Sequence, residues 1–105
     1  METIPLVQNT VNGKFFYELQ INNHKAFIEY HIFSDDLLLL ISSGVTQNLP
    51  NHHQVRDALI ERVLDRIRRT NFKVISYCPS INKFVNKNKQ YRNMIISNQL
   101  LSEVS

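Results

Sequence analysis

VRDALIERVLDRIRRTNFKVISYCP, residues 55–79, changes its hydrophobic period once, and that change decides the fold. Val55, Leu59, Val63 and Ile67 recur four apart, and Ala58, Ile60 and Leu64 widen the stripe. Arg56, Asp57, Glu61, Arg62, Asp65, Arg66 and Arg69 hold the opposite side, so the spacing predicts an amphipathic helix over 55–69. Asp65 and Arg69 form an i,i+4 pair whose sign suits the last turn. Thr70-Asn71 ends the helix, since Asn tolerates the left-handed conformation of a helix terminus. Phe72 to Tyr77 is then apolar and strand-like. Pro79 follows at once and suits the first turn of a second helix, where a missing N–H costs nothing. Ile81, Phe84 and Val85 give that helix an apolar face, which Tyr91, Met94, Ile95 and Ile96 continue in a weaker pattern.

Upstream, the period is two. Phe15, Tyr17, Leu19 and Ile21 alternate with Phe16, Glu18 and Gln20, which predicts a strand over 14–21. Asn22-Asn23 supplies a turn that tolerates positive φ. The return strand, 25–33, alternates Ala26, Ile28, Tyr30 and Ile32 with Lys25, Glu29 and His31. Ser34-Asp35-Asp36 turns the chain again. Residues 37–43, LLLLISS, begin as a continuous apolar run, as expected of a strand covered on both faces. A strand, a crossover helix and a strand place 37–43 and 73–77 parallel in one sheet. The class is α+β. A three-strand antiparallel meander leads into a helix, a parallel strand and a C-terminal helix, forming one mixed sheet. Residues 1–13 read as an N-terminal extension, 14–96 as a single domain and 97–105 as a polar tail that frays.

The chain has 105 residues and 43% hydrophobic content, with two Gly and three Pro, which suits one domain. A single cysteine, Cys78, forms no internal disulfide. METIPLVQNTV lacks the basic start and long apolar run of a secretory signal. The run LLLLI is far short of the about 20 residues that cross a bilayer. A soluble cytoplasmic protein with no membrane partner is the expectation. The net charge of +3 suits a phosphorylated ligand, an acidic surface or nucleic acid, and equally an ordinary soluble surface. Asp57, Glu61 and Asp65 interrupt the basic face of Arg62, Arg66, Arg68, Arg69 and Lys73, and no aromatics interleave with it. That pattern argues against a nucleic-acid partner.

Two parallel strands joined by one helix leave a crevice beyond their carboxyl ends. Its walls are the 42–54 connection, the start of the 55–69 helix and Cys78. The helix start offers free N–H groups suited to phosphate. Cys78 is either a site thiol or a small buried hydrophobe. His52 and His53 are adjacent, a poor geometry for one metal ion, and no thiol or carboxylate is spaced near them; a metal site is not expected. As phosphate donors or solvated loop residues they fit better. Tyr77 and Tyr91 read as general acids or as packing aromatics, and Glu29 as a base or a solvent-facing strand residue.

The succession of strand, GV turn, amphipathic helix, strand and Cys-Pro-helix-Tyr resembles the GNAT superfamily of N-acetyltransferases, in its short single-domain branch. SSGVTQNLP, ALIERVLDRIRRTNFKVISYCP and INKFVNKNKQY carry the resemblance, which spans about residues 14 to 94. It implies acetyl-CoA held between two splayed parallel strands and an acetyl group transferred to an amine acceptor that the sequence does not name. On this resemblance the pyrophosphate falls on Asn51, His52, His53, Gln54, Val55 and Arg56, and the pantetheine on Ile41, Ser42 and Ser43. Cys78 matches the cysteine of the short branch, as acyl acceptor or acyl pocket, and Tyr91 is a candidate proton donor. The family's loop is glycine-rich where NHHQVR has no glycine, and side chains there restrict φ and close approach. The alternative is a non-catalytic module of the same fold that has lost CoA binding.

Overall fold

The computed structural model describes residues 4–21, 24–45 and 51–96. Five strands form one sheet in sequence order: β1 (Val7–Val11), β2 (Lys14–Ile21), β3 (His24–Ser34), β4 (Leu37–Val45) and β5 (Lys73–Ser76). β1 to β4 are antiparallel neighbours, and β5 lies parallel to β4. Helix α1 (His52–Arg68) makes the crossover between them, α2 (Pro79–Lys87) follows β5, and a 3₁₀ turn spans Lys89–Met94. The α+β class, the meander and the parallel pair match the expectation from sequence.

The first strand does not. Residues 1–13 read as an extension, yet Val7–Val11 completes a four-strand meander. Asn12 at φ 53 and Gly13 at φ 78 form its two-residue turn, which needs positive φ at both central positions. Asn-Gly was the available signal, masked by polar VQNTV, which lies at the sheet edge and has little to bury. The Asn22-Asn23 turn lies outside the described residues.

One sheet face packs the helices. Tyr17, Leu19, Ala26, Ile28, Tyr30, Leu38 and Leu40 point to it from the strands, and α1 answers with Leu59, Ile60, Val63, Leu64 and Ile67. Ile81, Val85, Tyr91 and Met94 close the core from the C-terminal side. Pro79 occupies the start of α2, as its missing N–H predicts. Asn88 stops that helix with φ −124 and ψ 81, and the weaker pattern beyond it becomes the 3₁₀ turn. The Ile96 N–H then bonds the Val74 carbonyl at 2.7 Å, placing the chain along the outer edge of β5.

Candidate active site

β4 and β5 pair from Leu37–Lys73 to Leu40–Ser76, and the Tyr77 N–H gives the last bond of the ladder to the Leu40 carbonyl at 2.9 Å. Beyond that point β4 runs on to Val45 bonded to β3 alone, while the chain after β5 turns into α2. The two parallel strands part there, at their carboxyl ends, where a ligand crevice is expected.

A bulge lies at the same place. Tyr30 pairs with Leu40 and Glu29 with Ser42, so Ile41 is the extra residue. An extra residue reverses which side chains face the core. Leu38 and Leu40 face the helices before it, and Ser43, opposite buried Ile28, faces them after it. The three residues Ile41, Ser42 and Ser43, grouped by sequence, are thereby separated. Ser43 Oγ lies 3.2 Å from Cys78 Sγ across the mouth of the crevice. Ser42 Oγ donates instead to Glu29 Oε1 at 3.5 Å, on the opposite face.

Cys78 is buried at 3% exposure and belongs to the core cluster, but its thiol contacts Ser43 at the crevice. Its backbone is held by Ser76, a buried hydroxyl that accepts from the Cys78 N–H at 3.2 Å and donates to the Cys78 carbonyl at 3.3 Å. That local clasp bends the chain from β5 into α2. Sequence reasoning passed over Ser76, whose only sign was a polar residue within an apolar strand.

Residues 52–56 are the first turn of α1 rather than a loop, and Asn51 caps it at φ 64. The left-handed turn that glycine makes without strain is here made by Asn, the side chain that best tolerates it. Asn51 makes no side-chain cap and the first turn holds no acidic residue. The N–H groups at this helix start therefore keep the partial positive charge that suits an anion. Residues 46–50, which the crevice wall includes in the sequence reading, lie outside the described residues.

Between the start of α1 and α2 runs a groove of about 350 Å³ whose lining includes His53, Arg56, Asp57, Ser80, Lys83 and Lys87. Arg56 Nη1 donates to the Ser80 hydroxyl at 3.4 Å, while its buried Nε finds no hydrogen-bond partner. An orphaned guanidinium N–H beside two lysines fits a phosphate-bearing ligand. The His52 and His53 rings lie 3.9 Å apart, tilted by 41°, and both residues are exposed. Among the described residues no three His, Cys, Asp or Glu side chains gather as a metal site would require. No helix there is long and apolar enough to cross a membrane.

Tyr91 lies in a different setting. Its hydroxyl donates to Asp65 Oδ1 at 2.8 Å, and the Arg68 guanidinium sits 5.0 Å from its ring centroid. Burial, followed by that bond to Asp65, pushes its pKa up to about 12. The sequence grouped it with Cys78, whereas its described partners are Asp65, Arg68 and Phe84. Tyr77 is half exposed.

A family model of the GCN5-related N-acetyl-transferases matches residues 14–94. Among solved structures the chain is similar to that of a "GCN5-like putative N-acetyltransferase" from Staphylococcus aureus. That alignment has a TM-score of 0.60 and 24% identity, covering 88% of this chain and 89% of that one. No curated protein matches the sequence. With the match spanning most of the chain, from the second strand through the 3₁₀ turn, this protein belongs to the GCN5-related N-acetyltransferase family.

Proposed function

We propose that the crevice between β4 and β5 binds acetyl-CoA and that the protein transfers its acetyl group to an amine, acting in the cytoplasm. The observation that carries this is the parting of the two strands after Leu40 and Ser76, with the Ile41 bulge and the Ser43–Cys78 contact at its mouth. Ile41 to Ser43 offer the pantetheine a strand edge that no strand among the described residues pairs with on the β5 side. The free N–H groups after Asn51, with Arg56 and His53, take the phosphates, and Lys83 and Lys87 extend the positive charge along the groove. Side-chain cations stand in for the backbone cradle that glycines would provide.

In the transfer, the amine nitrogen attacks the thioester carbonyl carbon, a C–N bond forms, the C–S bond breaks, and the departing thiolate takes the proton that the amine sheds. Cys78 lies where the acyl group would rest, and its thiol can accept that group by the same exchange before passing it to the amine. Ser43, bonded to the sulfur, orients it. Tyr91 has a packing role in this scheme, because its hydroxyl is already committed to Asp65.

The second reading is a non-catalytic module of the same fold, favoured by the absence of glycine from residues 51–56. Amide shifts during an acetyl-CoA titration separate the two. Saturable shifts at residues 41–45, 51–56 and 78 are expected, and none at millimolar ligand would overturn the proposal. Intact mass after exposure to acetyl-CoA then tests the covalent route. A gain of one acetyl group that Cys78→Ala abolishes supports it; turnover by Cys78→Ala at the wild-type rate rejects it.

A further inference from the structure

We propose that a second pocket, at the opposite end of α1, binds a small aromatic carboxylate. α1 ends at Arg68, and the sheet overhangs it through Ile32, which is half exposed. Under the overhang lies a cavity of about 220 Å³ whose lining includes Gln8, Tyr17, Tyr30, Ile32, Arg66 and Phe72.

The pocket's chemistry is one-sided. Tyr17 and Tyr30 stack across neighbouring strands with centroids 4.3 Å apart. Gln8 Nε2 donates to the Tyr30 hydroxyl at 3.1 Å, leaving the proton of that hydroxyl free to be given onward. The Tyr17 hydroxyl has no hydrogen-bond partner among the described residues, and the Arg66 guanidinium makes neither a hydrogen bond nor an ion pair among them. None of the lining residues is acidic. Burial pushes Tyr17 up to about 12, and the neighbouring Tyr30 adds to the rise against the opposing charge of Arg66, so Tyr17 remains an O–H donor across the working pH range.

Three unspent donors, one of them a permanent cation, call for an anionic acceptor, and a planar carboxylate matches the fork of a guanidinium. Ile32, Phe72 and the tyrosine pair supply the apolar and aromatic surface for a ring. A volume below the ~300 Å³ at which drug-sized pockets begin limits the occupant to about one ring. The pocket lies at the far end of α1 from the crevice and does not depend on acetyl-CoA binding there.

Benzoate and its neutral isostere benzamide, titrated into the full chain with amide shifts followed, test this. Benzoate is expected to shift Gln8, Ile32, Ile67 and Thr70 saturably, with benzamide at least tenfold weaker. Arg66→Gln should weaken benzoate about tenfold, and Tyr17→Phe severalfold. Arg66 is exposed with no described bond to lose, so that variant keeps the fold. Equal binding of benzamide, unchanged binding to Arg66→Gln, shifts confined to 41–45 and 78, or no shift at all would each overturn the assignment.

Discussion

The two halves of β4 share a strand but have different surroundings. Leu37 to Leu40 bond a neighbour on both sides, and Leu38 and Leu40 are buried against the helices. Past the extra residue Ile41, Ser42 to Val45 pair with β3 alone, and all five are only partly buried. Composition follows the contrast: four leucines where the strand is enclosed, then ISSGV with two hydroxyls and a glycine where an edge is offered. Gly44 belongs to the second half for a packing reason, since the Phe27 ring lies 2.7 Å from where a Cβ would stand. Packing is concentrated in the first half, and the second half carries the proposed acetyl-CoA site, with the Ile41 bulge as the boundary between them.

The sharpest way to break that contrast is to damage the first half. Leu40 is fully buried, so Leu40→Ala removes its packing and leaves a cavity. A loss of about 3 kcal/mol is expected in denaturant unfolding. A loss under ~1 kcal/mol would mean that the enclosed half is not the anchor described above.

Much of this contrast was legible in the sequence, and the remainder failed for definable reasons. The period change at residues 55–79 located the crossover, the parallel pair and Cys78, because burial on one helix face forces a repeat that few other arrangements share. β1 escaped because an edge strand buries little and so needs no alternation. The bulge escaped because LLLLISS holds no sign of which residue is extra; the split of Ser42 from Ser43 exists only in the register with β3. The conformation at the start of α1 was hidden because φ cannot be read from residue type alone. Asn51 adopts the left-handed conformation there without a glycine. The bond from Tyr91 to Asp65 was not legible, because the break at Asn88 that redirects the chain has no sign in the sequence.

A smaller effect is expected where neither half of β4 takes part. Tyr91→Phe removes the hydroxyl donor to Asp65, whose Oδ1 keeps Arg68 at 3.0 Å. The loss should be about 1.5 kcal/mol, with acetyl transfer unchanged. Its pH dependence has a definite sign. The folded-state pKa of about 12 lies above the ordinary value of 10.0, so the folded state holds the proton more tightly than the unfolded chain does. The stabilisation is fully present below about pH 10 and is lost as pH rises toward 12. Urea titrations across that window should show wild-type stability falling more steeply than that of Tyr91→Phe. The slope that remains in the variant includes Tyr17, raised to about 12 by its own burial. Equal slopes in the two proteins would remove Tyr91 from the alkaline transition.

The smallest effect on stability should come from the groove beside the open half, together with a clear effect on binding. Arg56 is partly buried and carries a long bond to Ser80 and an orphaned Nε. Arg56→Gln therefore gives up little within the fold, about 0.5 kcal/mol or less. If the guanidinium waits for a phosphate, the same change should weaken acetyl-CoA several-fold, and the loss should shrink as salt rises, because screening already reduces the wild-type attraction. Dephospho-CoA, which lacks one phosphate monoester, discriminates further. If Lys83 and Lys87 hold that group while Arg56 holds the pyrophosphate, Arg56→Gln weakens both ligands by the same factor, whereas Lys87→Gln weakens acetyl-CoA alone. An Arg56→Gln protein that is markedly less stable yet binds acetyl-CoA normally would reverse the assignment, making this arginine a structural tie between α1 and α2 and leaving the helix start to hold the phosphates by its N–H groups alone.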